Sequence, residues 1–277
     1  MDYGADEVYL DEGGECARVG AGAGARRAGR GRPYWAAVGF GDIESANVVG
    51  YTAKEAQTDL NWYAPQFFSC GHNTTDINGI TLDDGGAGTV GYGDTMQIVG
   101  PLGNASAIYY YWDKDIDLEK KAEGFYWGDA GCKAVVVSFD AGEGLAIDNA
   151  SGLAFTINNA GDVPTSDVSF AAGADLNWSG NPFPEAISLN AVTLDDGNVG
   201  TVGYGDTLQI VGPQGNASAI YYYWDKDMDP EKKAEGFYWG DAGCKAVTVS
   251  LEPGDGFAID NASQLAFDVK IARPYKK

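Results

Sequence analysis

Two acidic segments place carboxylates at every second position, a spacing that suits a hard cation. When such a segment loops round an ion its oxygens converge, and calcium takes six to eight of them. The pattern departs from an EF-hand loop, because Gly124 and Gly236 stand where a twelfth-position Glu is required. If the segments are extended instead, the alternate carboxylates line one solvated face. We hypothesise one calcium site per segment, formed by Asp113, Asp115, Asp117 and Glu119 and by Asp225, Asp227, Asp229 and Glu231.

Two aromatic runs, Tyr109–Trp112 and Tyr221–Trp224, are predicted to be strands. Successive side chains on a strand face opposite ways, so one set of rings meets the core and the other faces outward. Outward rings beside carboxylates and amides suit carbohydrate, because apolar sugar faces stack on rings and hydroxyls bond polar groups. Core packing with cross-strand aromatic pairs is the alternative interpretation. The candidate ligand-binding residues are Tyr111, Trp112, Trp127, Tyr223, Trp224 and Trp239.

The sequence lacks the residues expected for nucleophilic catalysis. The single histidine, His72, lies in a loop that is four residues longer in the first half of the chain than in the second. No Gly-x-Ser-x-Gly elbow occurs, and Gly20-x-Gly22-x-Gly24 lacks the dinucleotide-binding spacing. The paired carboxylates of a glycosidase stay open as an alternative, since acids are plentiful. We do not expect an enzyme.

The four cysteines do not form a disulfide framework. Cys132 and Cys244 occupy equivalent positions, whereas Cys70 has no counterpart that could pair with Cys244. We interpret Cys132 and Cys244 as small apolar residues in or beside the core. An intermolecular disulfide or an exposed thiol is the alternative. With one histidine and no Cys-x-x-Cys pair, a zinc site is not expected.

Composition and charge exclude several classes of protein. The 277 residues carry 18 basic and 40 acidic side chains, a formal charge of −22, which repels the phosphate backbone of nucleic acid. No apolar run approaches the roughly 18 residues of a membrane span. A hydrophobic content of 44% supports packed cores. Forty glycines against three methionines favour strands and turns over a helical bundle.

A long internal repeat dominates the organisation of the chain. Residues 81–139 recur as 193–251 with an offset of 112, and 51 of the 59 positions are identical. Upstream, Asp59–Trp62 recurs as Asp175–Trp178 with an offset of 116. Each unit spans about 115 residues, the usual size of one domain, which indicates two tandem domains instead of a solenoid.

These boundaries divide the chain into three parts. Residues 1–42 contain a low-complexity Gly/Ala/Arg stretch and are expected to be a disordered tail, or else a wrongly assigned start. The first repeat is residues 43–162, and the second repeat is residues 163–277.

Short strands separated by turn signals are predicted throughout both repeats. Residues 133–139, for example, read Lys-Ala-Val-Val-Val-Ser-Phe and are expected to be a buried strand. Turn signals recur about every 8–12 residues, the pattern of an antiparallel sandwich. We therefore predict an all-β protein with two tandem antiparallel β-sandwich domains, Ig-like or jelly-roll-like, behind the tail.

The turn-forming segments of the repeats resemble those of a known type of domain. These segments are Asn47–Tyr51, Gly180–Pro184, Ala141–Ile147 and Pro253–Ile259. They are similar to tandem β-rich repeat domains of large secreted and surface proteins of anaerobic bacteria, a likeness that covers about residues 43–272. The resemblance implies an extracellular, non-catalytic role and supplies no site residues.

From these observations we expect a non-enzymatic, secreted or cell-surface protein with a structural or adhesive role. Matching repeats can stack head to tail, so self-assembly into oligomers or filaments is one open possibility. The first alternative is a tandem carbohydrate-binding module with glycans as partners. The second alternative is a glycoside-active enzyme. Neither a nucleic-acid partner nor a membrane span is expected.

Overall fold

The computed structural model of the protein describes ten stretches of the chain. They are residues 8–10, 16–18, 49–69, 74–91, 93–117, 124–197, 199–203, 205–212, 215–232 and 234–275. Val49–Lys277 form one compact unit and Met1–Val48 another. In the latter, strands β1 (Val8–Leu10) and β2 (Cys16–Arg18) pair antiparallel. The rest of the predicted tail lies outside the described residues, and its disorder stays a prediction.

The prediction of an all-β protein is confirmed, because the described residues contain strands and four single-turn 3₁₀ helices but no α-helix. The strands of the first repeat are β3 Val49–Ala56, β4 Asp59–Tyr63, β5 Thr74–Asp76, β6 Ile80–Asp83, β7 Thr95–Val99, β8 Ala105–Trp112, β9 Tyr126–Gly128, β10 Ser138–Asp140, β11 Leu145–Asn149 and β12 Phe155–Asp162. The 3₁₀ helices are Ile77–Gly79, Lys114–Ile116, Leu189–Ala191 and Lys226–Met228.

The second repeat has ten strands that correspond one by one to those of the first. They are β13 Val168–Ala172, β14 Asp175–Gly180, β15 Ile187–Ser188, β16 Val192–Asp195, β17 Thr207–Val211, β18 Ala217–Trp224, β19 Tyr238–Gly240, β20 Ser250–Leu251, β21 Gly256–Asn261 and β22 Phe267–Ile271. All pairings between them are antiparallel.

Each repeat combines a five-stranded, a three-stranded and a two-stranded sheet. In the first repeat the orders are β4-β11-β7-β8-β9, β3-β12-β6 and β10-β5. The second repeat has β14-β21-β17-β18-β19, β13-β22-β16 and β15-β20. Apolar side chains of the larger two sheets meet between them, an arrangement consistent with a β-sandwich.

Each repeat has its own hydrophobic cluster. In the first repeat Met96 and Ile147 of the larger sheet share a cluster with Leu82 and Ile157 of the smaller one. The second repeat has a separate cluster of equivalent residues. Separate clusters agree with two sandwiches, although residues 49–277 are one compact unit and independent folding of each domain stays a prediction.

The expectation of a buried strand over residues 133–139 is wrong. Only Ser138–Asp140 forms a strand there, and the side chain of Val136 is 87% exposed. The backbone N–H of Asp129 donates to the Lys133 carbonyl, and that of Val135 donates to the Trp127 carbonyl. The chain therefore makes a turn after β9 and then runs without strand pairing, with Val135 and Val137 packed against the core cluster and Val136 facing solvent.

The two repeats meet at a contact whose tryptophan interactions occur in equivalent pairs. The rings of Trp62 and Trp178 stack with their centroids 4.1 Å apart and 13° between their planes. Trp62 Nε1 donates to the Gly212 carbonyl at 3.2 Å, and Trp178 Nε1 donates to the Gly100 carbonyl at 3.0 Å. Gly100 and Gly212 are themselves equivalent, so the two bonds are one contact made twice.

Backbone contacts between the two repeats also occur in equivalent pairs. Tyr63 pairs with Asp255 in an isolated antiparallel bridge, and the equivalent pair is Ser179 with Glu143. We call this contact the seam. On its first side the end of β4 meets the turn before β21, and on its second side the end of β14 meets the turn before β11. Because the indole hydrogen bonds and the backbone bridges recur with the repeats exchanged, the seam has an approximate two-fold axis at the stacked tryptophans.

Candidate ligand-binding site

The inward face of strand β8 belongs to the core. Tyr111 is 3% exposed and its hydroxyl accepts a hydrogen bond from the Leu82 backbone N–H at 3.2 Å. Trp127 is 0% exposed and donates through Nε1 to the Ile80 carbonyl at 2.7 Å. Burial raises the pKa of the Tyr111 phenol.

Four of the six predicted ligand-binding residues are therefore core residues. Besides Tyr111 and Trp127, they are their equivalents Tyr223 and Trp239, which are 4% and 0% exposed. A ring enclosed by both sheets has no face to offer a sugar, so these four assignments need correction. Core packing, the alternative interpretation of the aromatic runs, applies to them.

The outward face of β8 carries the other rings. Tyr110 and Trp112 are half-buried, and their near-parallel rings lie 5.5 Å apart with 23° between the planes. Ile108, two residues earlier on the same face, is 43% exposed. We call Ile108, Tyr110 and Trp112 the aromatic strip of the first repeat. Sequence reasoning had selected only Trp112, although strand alternation already places Tyr110 beside it.

The second repeat carries an equivalent aromatic strip. It consists of Ile220, Tyr222 and Trp224 on strand β18. The two rings are 5.6 Å apart with 25° between their planes, and Ile220 is 44% exposed. Trp112 and Trp224, the remaining predicted ligand-binding residues, thus occupy the same place in both repeats.

Polar side chains share the outward face with each strip. In the register of the sheet, Thr95 of β7 is opposite Tyr110, and Gln97 is opposite Ile108. Directly opposite residues of an antiparallel pair lie on one face. Asp148 of β11 follows on the far side of Thr95. Thr95 itself is buried, 8% exposed, and its hydroxyl accepts a hydrogen bond from Gln97. The amide and carboxylate groups beside the rings can hydrogen-bond a hydroxylated ligand.

The carboxyl group beside the strip is partly withdrawn from water. The pKa of Asp148 is raised by burial first and by the nearby charge of Asp59 second. The equivalent Asp260 has a raised pKa for the same reasons, with Asp175 as its neighbour. Negative charge on this face disfavours an anionic ligand.

Each outward tryptophan is anchored to a tightly bonded turn. Trp112 Nε1 donates to the Asp129 carbonyl at 3.0 Å, and Trp224 Nε1 donates to the Asp241 carbonyl at 2.9 Å. The Asp129 carboxylate accepts the backbone N–H groups of Gly131 at 2.8 Å and Lys133 at 3.0 Å. A ring held in this way loses little freedom when a ligand stacks on it.

The acidic segments form 3₁₀ helices. Asp113 caps the helix Lys114–Ile116 by accepting the backbone N–H of Asp115 at 2.8 Å. Asp225 accepts the N–H of Asp227 at 2.9 Å in the same way. Cap carboxylates that bond backbone N–H groups are explained by local structure without a metal.

The third carboxylate of each segment is buried. Asp117 is 3% exposed and Asp229 is 4% exposed. In the second repeat, Asp229 accepts the backbone N–H groups of Glu231 and Ala234, both at 2.9 Å. In the described ranges no three His, Cys, Asp or Glu side chains lie together where they could hold a metal ion, and Glu119 lies outside those ranges.

Calcium binding by these segments stays a prediction. It requires the melting temperature to rise with calcium and not with magnesium, because a ligand that binds only the native state stabilises it. An unchanged melting temperature would reject it.

The two equivalent cysteines lie in exposed turns. Cys132 and Cys244 have left-handed backbone conformations with φ of 59° and 60°, and both thiols are free and half-buried. The backbone N–H of Cys132 donates to the Asp129 carbonyl at 3.1 Å. Neither residue belongs to a core cluster, so our interpretation of them as core or near-core residues does not fit these turns. Cys70 lies outside the described residues.

Comparisons with protein-family models, with curated proteins and with solved structures give no match. The resemblance to repeat domains of bacterial surface proteins therefore stays a prediction. Across the described part of the chain, no helix has the length and apolar character needed to cross a bilayer.

Proposed function

We propose that this chain is a non-enzymatic adhesive protein of the cell surface or extracellular space that attaches to neutral glycans. The observation that carries the proposal is the aromatic strip, a set of anchored, solvent-facing rings beside polar groups, present once in each repeat. Stacking on rings and hydrogen bonding to nearby amides and carboxylates together fit a hydroxylated ring with apolar faces.

The size and charge of the strips favour this class of ligand. From Ser106 to Trp112 the outward side chains of β8 extend over about 20 Å, at about 3.4 Å per residue, which is longer than one sugar ring. The formal charge of −22 repels sulfated or uronic polymers as it repels nucleic acid. A neutral polysaccharide is therefore the ligand that the surface fits.

Two equivalent strips in one compact unit make the protein bivalent. Once one strip holds a polymer, the second binds the same polymer at high local concentration, which raises avidity by about 10²–10⁴-fold when the geometry allows it. Attachment of this kind is the physical basis of adhesion.

Affinity electrophoresis through gels containing neutral or acidic polysaccharides tests the proposal. We expect retardation by at least one neutral polymer and by none of the acidic ones. Trp112→Ala or Trp224→Ala should lower the apparent affinity about 10²-fold through lost bivalency. The double variant should migrate as in a gel without polysaccharide. Unretarded migration of the wild-type protein in every gel would refute glycan binding.

The matched control is Tyr51→Ala, which removes another exposed ring, 64% exposed and on strand β3 of the smaller sheet. It should bind as the wild-type protein does. Equal melting temperatures of wild type and variants would show that lost retardation reflects the missing rings and not unfolding.

A further inference from the structure

The seam has the form of an interface between two copies of one protein. In a two-fold homodimer, a residue near the axis meets its own equivalent, and every other contact occurs twice. Trp62 and Trp178 are equivalent residues and stack on each other. Their indole hydrogen bonds and the two backbone bridges occur in reciprocal pairs. Each repeat therefore presents a surface that is complementary to another repeat of the same kind.

The side chains at the seam make the two repeats different partners. Lys54 Nζ lies 2.7 Å from an Asp255 carboxylate oxygen and donates to the Gly254 carbonyl at 2.9 Å. Phe170 stands at the position of Lys54 in the second repeat, so this ion pair forms on the first side only. The first and second repeats therefore present different side chains at the seam.

The linker between the repeats is short and belongs to the second repeat. Strand β12 ends at Asp162 and β13 begins at Val168, so residues 163–167 connect them. Tyr275 donates through its hydroxyl to the Pro164 carbonyl at 2.6 Å, which ties the linker to the end of the second repeat. The seam contacts are the same whether the second repeat comes from the same chain or from another one.

We propose that the seam binds a second copy of this chain by exchange of repeats. In the exchanged dimer the first repeat of each copy pairs with the second repeat of the other, giving two seams with the contacts of the monomer. A short linker sets an effective concentration on the order of mM, so the closed monomer dominates in dilute solution. Refolding at high protein concentration should instead populate the dimer, which then separates slowly because both seams must open.

Charge exchange at the ion pair provides the test. The variants Lys54→Asp and Asp255→Lys each place two like charges on the first side of the seam, in the monomer and in a homodimer alike. A mixed dimer of the two variants has one wild-type pair and one reversed pair, both attractive. Because the two side chains are only partly buried, with 25% and 36% exposed, both variants should fold.

The two variants are denatured, mixed in equal amounts, refolded at high concentration and examined by native mass spectrometry. Random pairing would make half of all dimers mixed. We expect the mixed dimer instead to exceed the two homodimers together several-fold. Wild-type protein refolded alone should give a dimer fraction that rises with refolding concentration. Trp112→Ala, a tryptophan variant away from the seam, should give the same fraction.

Two outcomes would overturn the proposal. One is that wild-type protein is monomeric at every refolding concentration. The other is that the mixed dimer forms only in statistical proportion, which would place the dimer contact elsewhere. Circular dichroism of each variant refolded alone confirms that both chains regain the wild-type strand content.

Discussion

The two sides of the seam share a backbone arrangement but not a chemistry. On the first side, the large ring of Tyr63 and the Lys54–Asp255 ion pair cover the turn before β21. On the second side, the small Ser179 donates through its hydroxyl to the Gly142 carbonyl at 2.7 Å. Ala141 there packs against the hydrophobic cluster of the second repeat. The first side is thus polar and charged at its edge, whereas the second side packs against the hydrophobic cluster of the second repeat.

This comparison separates the features that set how closely the repeats approach from the side chains that vary between the two sides. Both sides need a glycine where the two repeats meet. A Cβ on Gly144 would lie 2.6 Å from Ser179 N, and one on Gly256 would lie 2.8 Å from Tyr63 N. The glycines fix how closely the repeats approach. The side chains around them differ between the two sides.

The largest effect is expected when the shared geometry is broken. Gly144→Ala and Gly256→Ala should each lower the free energy of unfolding by about 1–3 kcal/mol, because the new methyl group meets backbone that has no rotamer to escape into. Denaturant titrations of both variants measure this. Gly236→Ala is the control, since a Cβ there meets nothing within 4 Å. A loss confined to one variant would show that the sides are not equivalent in backbone packing.

Smaller changes in stability, opposite in sign to each other, are expected when two tyrosine hydroxyls are removed. The Tyr63 hydroxyl is buried, and although the polar side chains of Gln66 and Thr52 lie near it, neither forms a hydrogen bond of normal geometry with it; burial raises its pKa. Tyr63→Phe should therefore raise stability by about 1 kcal/mol, whereas Tyr111→Phe should lower it by about 1 kcal/mol by leaving the Leu82 N–H unpaired. Paired thermal melts distinguish the two. Equal losses would mean that Tyr63 contributes a polar contact to the first side after all.

The ion pair of the first side should contribute less. Lys54→Met is expected to cost under about 1 kcal/mol, because both partners are partly solvated. The difference from wild type should shrink as salt is added, since mobile ions screen the pair. Lys245→Met, which removes a more exposed pair whose nearest atoms are 4.0 Å apart, serves as the reference. A salt-independent cost would assign the role of Lys54 to packing of its stem.

The smallest expected effect is the pH dependence of stability that a carboxyl group on the second side of the seam produces. Burial raises the pKa of Glu143 above its ordinary 4.5, outweighing the hydrogen bond donated by the Asp140 N–H. The native state thus binds this proton more tightly than the unfolded state. Its contribution is complete below the ordinary pKa and is lost as pH rises through the raised value. Melting temperatures measured from pH 4.5 upward should fall less steeply for Glu143→Gln than for wild type.

Local pattern was sufficient to predict the fold class. Glycine-rich turns and short aromatic or β-branched runs favour strands wherever they occur, and the all-β architecture follows from them. Residues 133–139 show the limit of this reasoning, because the three consecutive valines follow a turn and lie in an irregular segment instead of a buried strand. Hydrogen bonds from Asp129 decide the path of the chain there, and a hydrophobic run carries no sign of them.

The candidate site was predictable only in part. Alternation requires Tyr111 and Trp112 to face opposite ways, yet it does not say which of them meets the core. That choice depends on the second sheet, where Leu82 bonds the Tyr111 hydroxyl across a sequence separation of 29 residues. The seam was even less predictable from local sequence, because the contact of Trp62 with Trp178 joins residues 116 positions apart.

The stacked indoles of the seam also have an optical consequence. Two identical chromophores only 4.1 Å apart couple electronically, which splits their absorption band into two components of opposite circular dichroism. The splitting falls steeply as the rings separate. The protein therefore contains a built-in spectroscopic reporter, whose signal vanishes when its halves part and returns when they reunite.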